Sequence, residues 1–207
     1  MSVERSRSGR DLGDYPRPSV AVDTAVLTIV DDELRVGLVA DARGGRRLPG
    51  TFLHEGERLS DAVRRSLRQK AGVEDVEPQQ LLVFDAPDRD SRGWVLSVAH
   101  VTVVRAGATG GLEATPLVDA TGLDFDHDAI VVHAAEWMRE RYAERPDPDR
   151  LLDEGFTLRE LRRIHEAVAG HRLQPDTFRR AMLPFLEETG ELARGGVGKP
   201  AQLFRRR

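Results

Sequence analysis

The chain has 207 residues, no cysteine and a formal net charge of −4. The missing thiols exclude disulfides, thiolate metal sites and cysteine nucleophiles. No apolar run approaches the roughly 18 residues of a membrane span, and no signal-peptide core opens the chain. A cytoplasmic globular protein is therefore expected, with a domain of about 150 residues followed by a small one.

The charge is unevenly spread. Residues 150–207 hold twelve Arg and Lys against eight Asp and Glu, so a basic tail follows an acidic body. That asymmetry points to a polyanionic partner for the tail, or to a solvated charged surface.

Residues 1–16 (MSVERSRSGRDLGDYP) are polar, lack periodicity and predict a flexible arm. From Pro18 onward "VAVDTAVLTIV", the turn "DDE" and "LRVGLVA" predict a β-hairpin over 20–40. The loop "DARGGRR" and the punctuating "LPG" follow. Residues 60–71 predict a helix, with Ser60 as its N-cap, Leu59, Val63 and Leu67 at helical spacing and Gly72 as the left-handed stop.

"QLLVFDA" and "GWVLSVAHVTVV" predict further strands, joined by the turn-rich "PDRDSRG". Residues 105–122 predict a loop and an edge strand, and Asp126 or Asp128 is placed to cap a helix ending before Pro146. "RPDPDR", 145–150, has the composition of a domain border, which divides the chain into 17–146 and 150–207. Beyond it, Thr157 caps "LRELRRIHEAVAG". Pro175 then opens "PDTFRRAMLPFLEE", with Phe178, Met182 and Phe185 as its apolar face. A Gly-rich basic hairpin closes the chain.

Residues 51–73 follow the outline G-x5-E-x7-R-E-U-x-E-E-x-G-U (U aliphatic), the signature of the Nudix hydrolases. Glu57, Arg65, Leu67 and the pair Gly72-Val73 match it; the box glycine falls at Thr51, one residue after Gly50. The helix glutamates are replaced by Ser66, Gln69 and Lys70. Those positions are three and four apart and share one helix face. Mg²⁺ asks for carboxylate oxygens there, and the face offers a hydroxyl, an amide and a positive charge. The residues around the loop and helix (Arg46, Arg47, Phe52, Glu57, Arg65 and Lys70) are the candidate liners of a surviving anion pocket, with Lys70 available to a phosphate. The bland alternative is a loop–helix kept only for packing.

The order of the tail, two helices and a Gly-rich hairpin, is that of a winged helix-turn-helix. The second helix then serves as the recognition helix. Thr157, Gln174, Asp176, Thr177, Arg179 and Arg180 are candidate DNA contacts, joined by Arg194 and Lys199 on the wing. Arg and Gln read G and A edges, while Thr and helix N-termini suit phosphates. A helical subdomain serving only dimerisation is the competing reading.

The degenerate box and "FDAPDRDSRGWVLSVAHV", with "FDHDAIVVHAAEWMRERY", "FTLRELRRIHEAVAG", "DTFRRAML" and "GKPAQLFR" in that order, resemble the Nudix-related transcriptional regulators of the NrtR type. The resemblance covers nearly the whole chain. It implies an α/β (α+β) fold, a Nudix α/β/α sandwich with a mixed sheet followed by a winged helix-turn-helix. It also implies a homodimer on an inverted-repeat operator in double-stranded DNA, repressing NAD-metabolism genes and sensing ADP-ribose or a related phosphorylated metabolite. Neither a metal, a cofactor nor a membrane is expected to take part. The rival reading is a working diphosphatase drawing metal ligands from Glu57, Glu55, Asp85 or Asp88. A third is a sugar-phosphate-responsive regulator of the same build.

Overall fold

The computed structural model describes residues 11–40, 44–193 and 200–207. The expected hairpin is present as β1 (Ser19–Val30) and β2 (Glu33–Ala40), turning through Asp31 and Asp32 at positive φ. The short strands β3 (Arg46–Arg47) and β4 (Gly50–Phe52) follow, then α1 (Leu59–Ala71). Next come β5 (Gln79–Phe84), β6 (Val95–Val103), the edge strand β7 (Glu113–Pro116) and α2 (His127–Glu144). The sheet runs β3-β2-β1-β6-β5, with β4 beside β1 and β7 beside β2. It is mixed: β1 and β6 pair in parallel, all other neighbours antiparallel.

Alternate residues of β1 explain the layering. Val22 and Val26 face α1 with Val63 and Leu67, whereas Ala25 and Leu27 face α2 with Ile130 and Met138. A strand covered on both faces reads as the continuous apolar run that "VAVDTAVLTIV" displays. The expected α/β/α sandwich is thus what the chain builds.

Helix ends depart from expectation in two places. α1 is flanked by Arg58, without a side-chain cap, and Ser60 lies inside its first turn; Gly72 does stop it, at φ 64°. Asp126 flanks α2 without capping it, because its carboxylate is held by Arg89, while Asp128 accepts from the Gly122 and Leu123 amides.

After α2 come α3 (Leu158–Ala169), α4 (Pro175–Met182) and the hairpin β8 (Leu186–Leu192) with β9 (Gln202–Arg206). Phe156, Leu161, Phe178, Met182, Leu186 and Phe204 form their shared core. α4 ends earlier than its composition suggests. Pro184 has no N–H to continue the helical ladder, a 3-10 turn over Leu183–Phe185 follows, and Phe185 is left exposed rather than facing inward.

The "RPDPDR" segment is no solvated linker. Pro146 is buried, and the Asp147 carboxylate, fully buried, accepts from the Leu151 and Leu152 amides, the Tyr142 hydroxyl and the Arg206 guanidinium. It therefore ties α2, the connection and β9 together. Arg163 on α3 adds a bidentate pair to Asp32 in the β1–β2 turn, at 2.7–3.1 Å. No described helix is long and apolar enough to cross a membrane.

Candidate functional site

β1, β4, the β5–β6 connection and the start of α2 converge on a pocket of about 230 Å³. Gly50 is obligatory at its floor, since a side chain there would collide with the Asp23 carboxylate. Asp23 accepts from the Ser97 hydroxyl at 2.5 Å and faces His127 Nε2 at 3.5 Å and Arg89 Nη2 at 3.6 Å. The Leu48 amide donates to His127 Nδ1 at 3.0 Å, so the ring proton sits on Nε2, toward Asp23. Burial pushes the Asp23 carboxyl up, but His127, then Ser97 and Arg89, outweigh it and hold it below the usual carboxylate range.

Of the six candidate liners, Arg47, Phe52 and Lys70 do line this pocket. Arg46 does not, because its guanidinium turns away to the carbonyls of Asp119 and Thr121. Glu57 and Arg65 stand outside the lining as a clamp. Arg65 donates to both Glu57 oxygens at 2.8 Å, to Thr51 Oγ1 at 3.1 Å and to the Phe52 carbonyl at 2.9 Å. Their contribution is to shape the loop that carries Thr51 and Phe52.

On the α1 face where the box has glutamates, Ser66 is buried beneath the helix and Gln69 is exposed. Lys70 reaches the pocket and donates to the Gly50 carbonyl. Burial, followed by the charge of Arg47, lowers the Lys70 pKa; a positive charge held in such a place favours an anionic neighbour. Glu55, Asp85 and Asp88 are exposed. Among the described residues no three His, Cys, Asp or Glu gather where an ion could be held.

Five lining residues of the quoted "PDRDSRG" and "FDHDAIV" stretches were not among the candidates: Arg89, Asp90, Arg92, Phe125 and His127. The Arg92 guanidinium sits 5.3 Å from the Phe52 ring centre and 5.2 Å from that of Phe125. Buried Asp90 holds it through a bidentate pair at 2.6 and 2.9 Å. That pairing pulls the Asp90 carboxyl down to about 2. The signal was the repeated Asp-Arg pairs in a turn, whose partners only folding could reveal.

The clamp makes a testable statement about acid. Arg65, then the His54 amide, hold the Glu57 carboxyl at about 2 against an ordinary 4.5. The unfolded chain therefore takes up the proton first. The clamp's contribution is complete above pH 4.5 and is lost as pH falls from there toward 2. A carboxyl-carbon NMR titration should show Glu57 unprotonated at pH 3.5; a midpoint near its ordinary value would refute the clamp.

At the other end of the molecule, α4 leaves Asp176, Thr177, Arg179 and Arg180 exposed, as expected of a recognition helix. Two candidates have other work. Gln174 Oε1 caps α4, accepting from the Asp176 and Thr177 amides at 2.8 and 3.0 Å. Thr157 is buried in a reciprocal capping box with Glu160, so it positions α3 instead of offering a free hydroxyl. Arg194 and Lys199 lie outside the described residues. The fold also gathers Arg159 and Arg162 with Arg179 around a hollow of about 220 Å³ between the first turns of α3 and α4. Positive side chains beside two helix N-termini suit phosphate oxygens. Sequence reading counted those two arginines only as charge.

The family model of the NrtR DNA-binding winged helix domain matches residues 149–206. The ADPR responsive transcriptional repressor NtrR of Acinetobacter baylyi is 29% identical over 209 residues, covering 93% of this chain and 83% of that protein. An ADP-ribose pyrophosphatase of Methanocaldococcus jannaschii is 29% identical over 133 residues, covering 59% of this chain and 76% of the enzyme. The crystal structure of Shewanella oneidensis NrtR with a 27mer DNA superposes with a TM-score of 0.76 at 30% identity, covering 91% of this chain and 93% of that one. The NUDIX domain of the same Shewanella protein, solved with ADP ribose, covers 66% of this chain and 99% of its own, with 26% identity and a TM-score of 0.55. A likeness that runs through sheet, helix pair and hairpin alike is that of whole proteins, and the chain belongs to the NrtR family.

Proposed function

We propose that this chain is a transcriptional repressor that binds an operator through α3, α4 and the β8–β9 hairpin and takes ADP-ribose in the pocket beneath α1. A homodimer on an inverted repeat is the arrangement that two such helix pairs would need, with half-sites spaced by whole helical turns. The carrying observation is Lys70, a cation reaching the pocket from the helix face that presents carboxylates in the hydrolases. It supports recognition of a phosphorylated ligand, and it speaks against hydrolysis. A diphosphatase needs divalent metal to neutralise the developing phosphate charge. Ser66, Gln69 and Lys70 do not fit a hard cation.

At about 230 Å³ the pocket falls below the roughly 300–1,000 Å³ typical of ligand sites. ADP-ribose is expected to open it further. Arg92 is the movable part, since its side chain is 61% exposed while its anchor Asp90 is buried. Its withdrawal would free the ring faces of Phe52 and Phe125.

The coupling follows from the packing. α2 begins at the pocket with His127 and ends at the Asp147 node, so ligand binding bears on how the helix pairs are held. To change operator occupancy strongly, the ligand must separate two dimer geometries by a few kcal/mol. In a gel-shift titration, ADP-ribose is expected to change operator affinity at least tenfold. Incubation with ADP-ribose and Mg²⁺ or Mn²⁺ is expected to release no AMP at enzymatic rates. Unchanged operator affinity at millimolar ADP-ribose would sink the sensing role, and rapid AMP release would restore the hydrolase.

A further inference from the structure

A second cleft, of about 420 Å³, lies between the C-terminal half of α2 and the underside of α3 and α4. Its walls include Val168, Leu173 and Met182 with the rings of Tyr142 and Phe178, so they are chiefly apolar. Its volume falls within the range of small-molecule sites, which gather where separately packed parts of a protein meet.

His165 on α3 closes the bottom. Its ring is 4% exposed and lies edge-on between Tyr142, at 5.2 Å, and Phe178, at 4.9 Å. Its Nε2 finds no hydrogen-bond partner among the described residues. A buried polar atom left so costs about 1–3 kcal/mol, and native structures contain few of them. Burial drives the imidazole down to about 4, so it is neutral near pH 7. One ring nitrogen then carries a proton and the other a lone pair. A hydroxyl both donates and accepts, and it suits Nε2 in either tautomer.

The apolar part of the wall disfavours a charged molecule, since desolvating a charge there is expensive, and the Arg139 and His171 that also line the cleft are exposed to solvent. The rings favour a flat one: aromatic pairs in offset or edge-on contact gain about 0.5–1.5 kcal/mol beyond the area they bury. We infer that this cleft is a second ligand site, taking a small uncharged aromatic molecule with one hydroxyl that hydrogen-bonds His165 Nε2. The nitrogen is shut off from solvent by its two ring neighbours, so the hydroxyl reaches it as Tyr142 and Phe178 part. Phe178 belongs to the recognition helix, and Gln174 and Thr177 line the same cleft. An occupant therefore acts on α4 directly, by a route separate from the pocket under α1.

The test uses the full chain with phenol, and with toluene as the same shape lacking the hydroxyl. Phenol at millimolar concentration is expected to shift the His165 imidazole NMR signals saturably, at least fivefold more tightly than toluene. Ala181→Trp, from an exposed position on the cleft wall, is expected to abolish the shift; Ala143→Phe serves the same purpose from α2 if that variant does not fold. The inference is overturned if phenol gives no saturable shift, if toluene binds equally well, or if the shift survives the filled cleft. It is also overturned if the cleft becomes protected from hydrogen exchange at high protein concentration without ligand, because a second copy then covers it.

Discussion

Replacing Asp147 with alanine is expected to lower the melting temperature by on the order of 10 °C and to loosen the helix pair from the sheet. Asp147 is fully buried and takes the Arg206 guanidinium at 2.5 Å, the Leu151 amide at 2.7 Å and the Leu152 amide at 2.9 Å. Deleting it strands a mostly buried Arg206 without its closest counter-charge, since Glu154 stands at 3.7 Å and is exposed. Breaking one partner out of a buried pair typically costs about 3–5 kcal/mol. In a domain of 150–250 residues each kcal/mol is worth roughly 2–4 °C. Asp147→Asn keeps the acceptor for one amide and loses the charge, so its loss is expected to be smaller. Differential scanning of the three proteins checks this; a melting point within about 2 °C of the parent for alanine would mean that the node is not what holds α2 to β9.

Removing both Arg179 and Arg180 is expected to weaken operator binding at least tenfold while leaving stability unchanged. Both side chains are exposed on α4, and Arg180 holds only a 3.4 Å contact to the Asp176 carbonyl within its own helix. Neither anchors the fold. An arginine that reads a base edge contributes about 1–3 kcal/mol, and one that meets phosphate contributes about one unit to the salt slope. Anisotropy titrations over a range of salt concentrations separate the two. If both touch phosphate, the slope of log affinity against log salt falls by about two and sequence preference survives. If they read bases, the slope holds and preference for the operator relaxes. Affinity within twofold of the parent would assign α4 to a protein partner instead, the reading in which the small unit serves only association.

The two outcomes bear on one another. Arg206 and Asp147 tie the hairpin to the end of α2, and Arg163 ties α3 to the β1–β2 turn. The helix pair is thus held at several points. A ligand that repositions α2 can then re-aim α4 without a hinge, consistent with the small rigid-body shifts by which packed elements transmit binding.

The local features were legible in the residue order. Thr157 and Glu160 form a capping box three residues apart, Pro175 opens α4, and Gly72 and Gly170 stop α1 and α3 at positive φ. Each of these is decided within one helical turn, so nothing distant can overrule it. The β-branched run of β1 likewise announced a strand, though only the fold shows it covered on both faces. Where a distant group competes for the same atoms, local rules failed. Asp126 is one of two candidate caps for α2, but Arg89, 37 residues back, takes its carboxylate. Gln174 is the local counterpart: its side-chain oxygen, a candidate for a base edge, is taken by the amides two and three residues on.

The amino-acid order by itself determined that positions 66, 69 and 70 of α1 carry a hydroxyl, an amide and a cation, because charge and donor type belong to the side chains wherever they fold. Which residues surround Lys70 was decided only by the tertiary structure. Asp23, Arg92, Phe125 and His127 come from β1, the β5–β6 connection and the start of α2, and pairing β1 with β6 brings them to one pocket. The same holds for Asp147, which lies between two prolines in a polar run and has the composition of an exposed linker. Its carboxylate is buried because Arg206, 59 residues away, and two nearby amides meet it there. Hydrogen-bond partners so far apart along the chain leave no trace in spacing or periodicity.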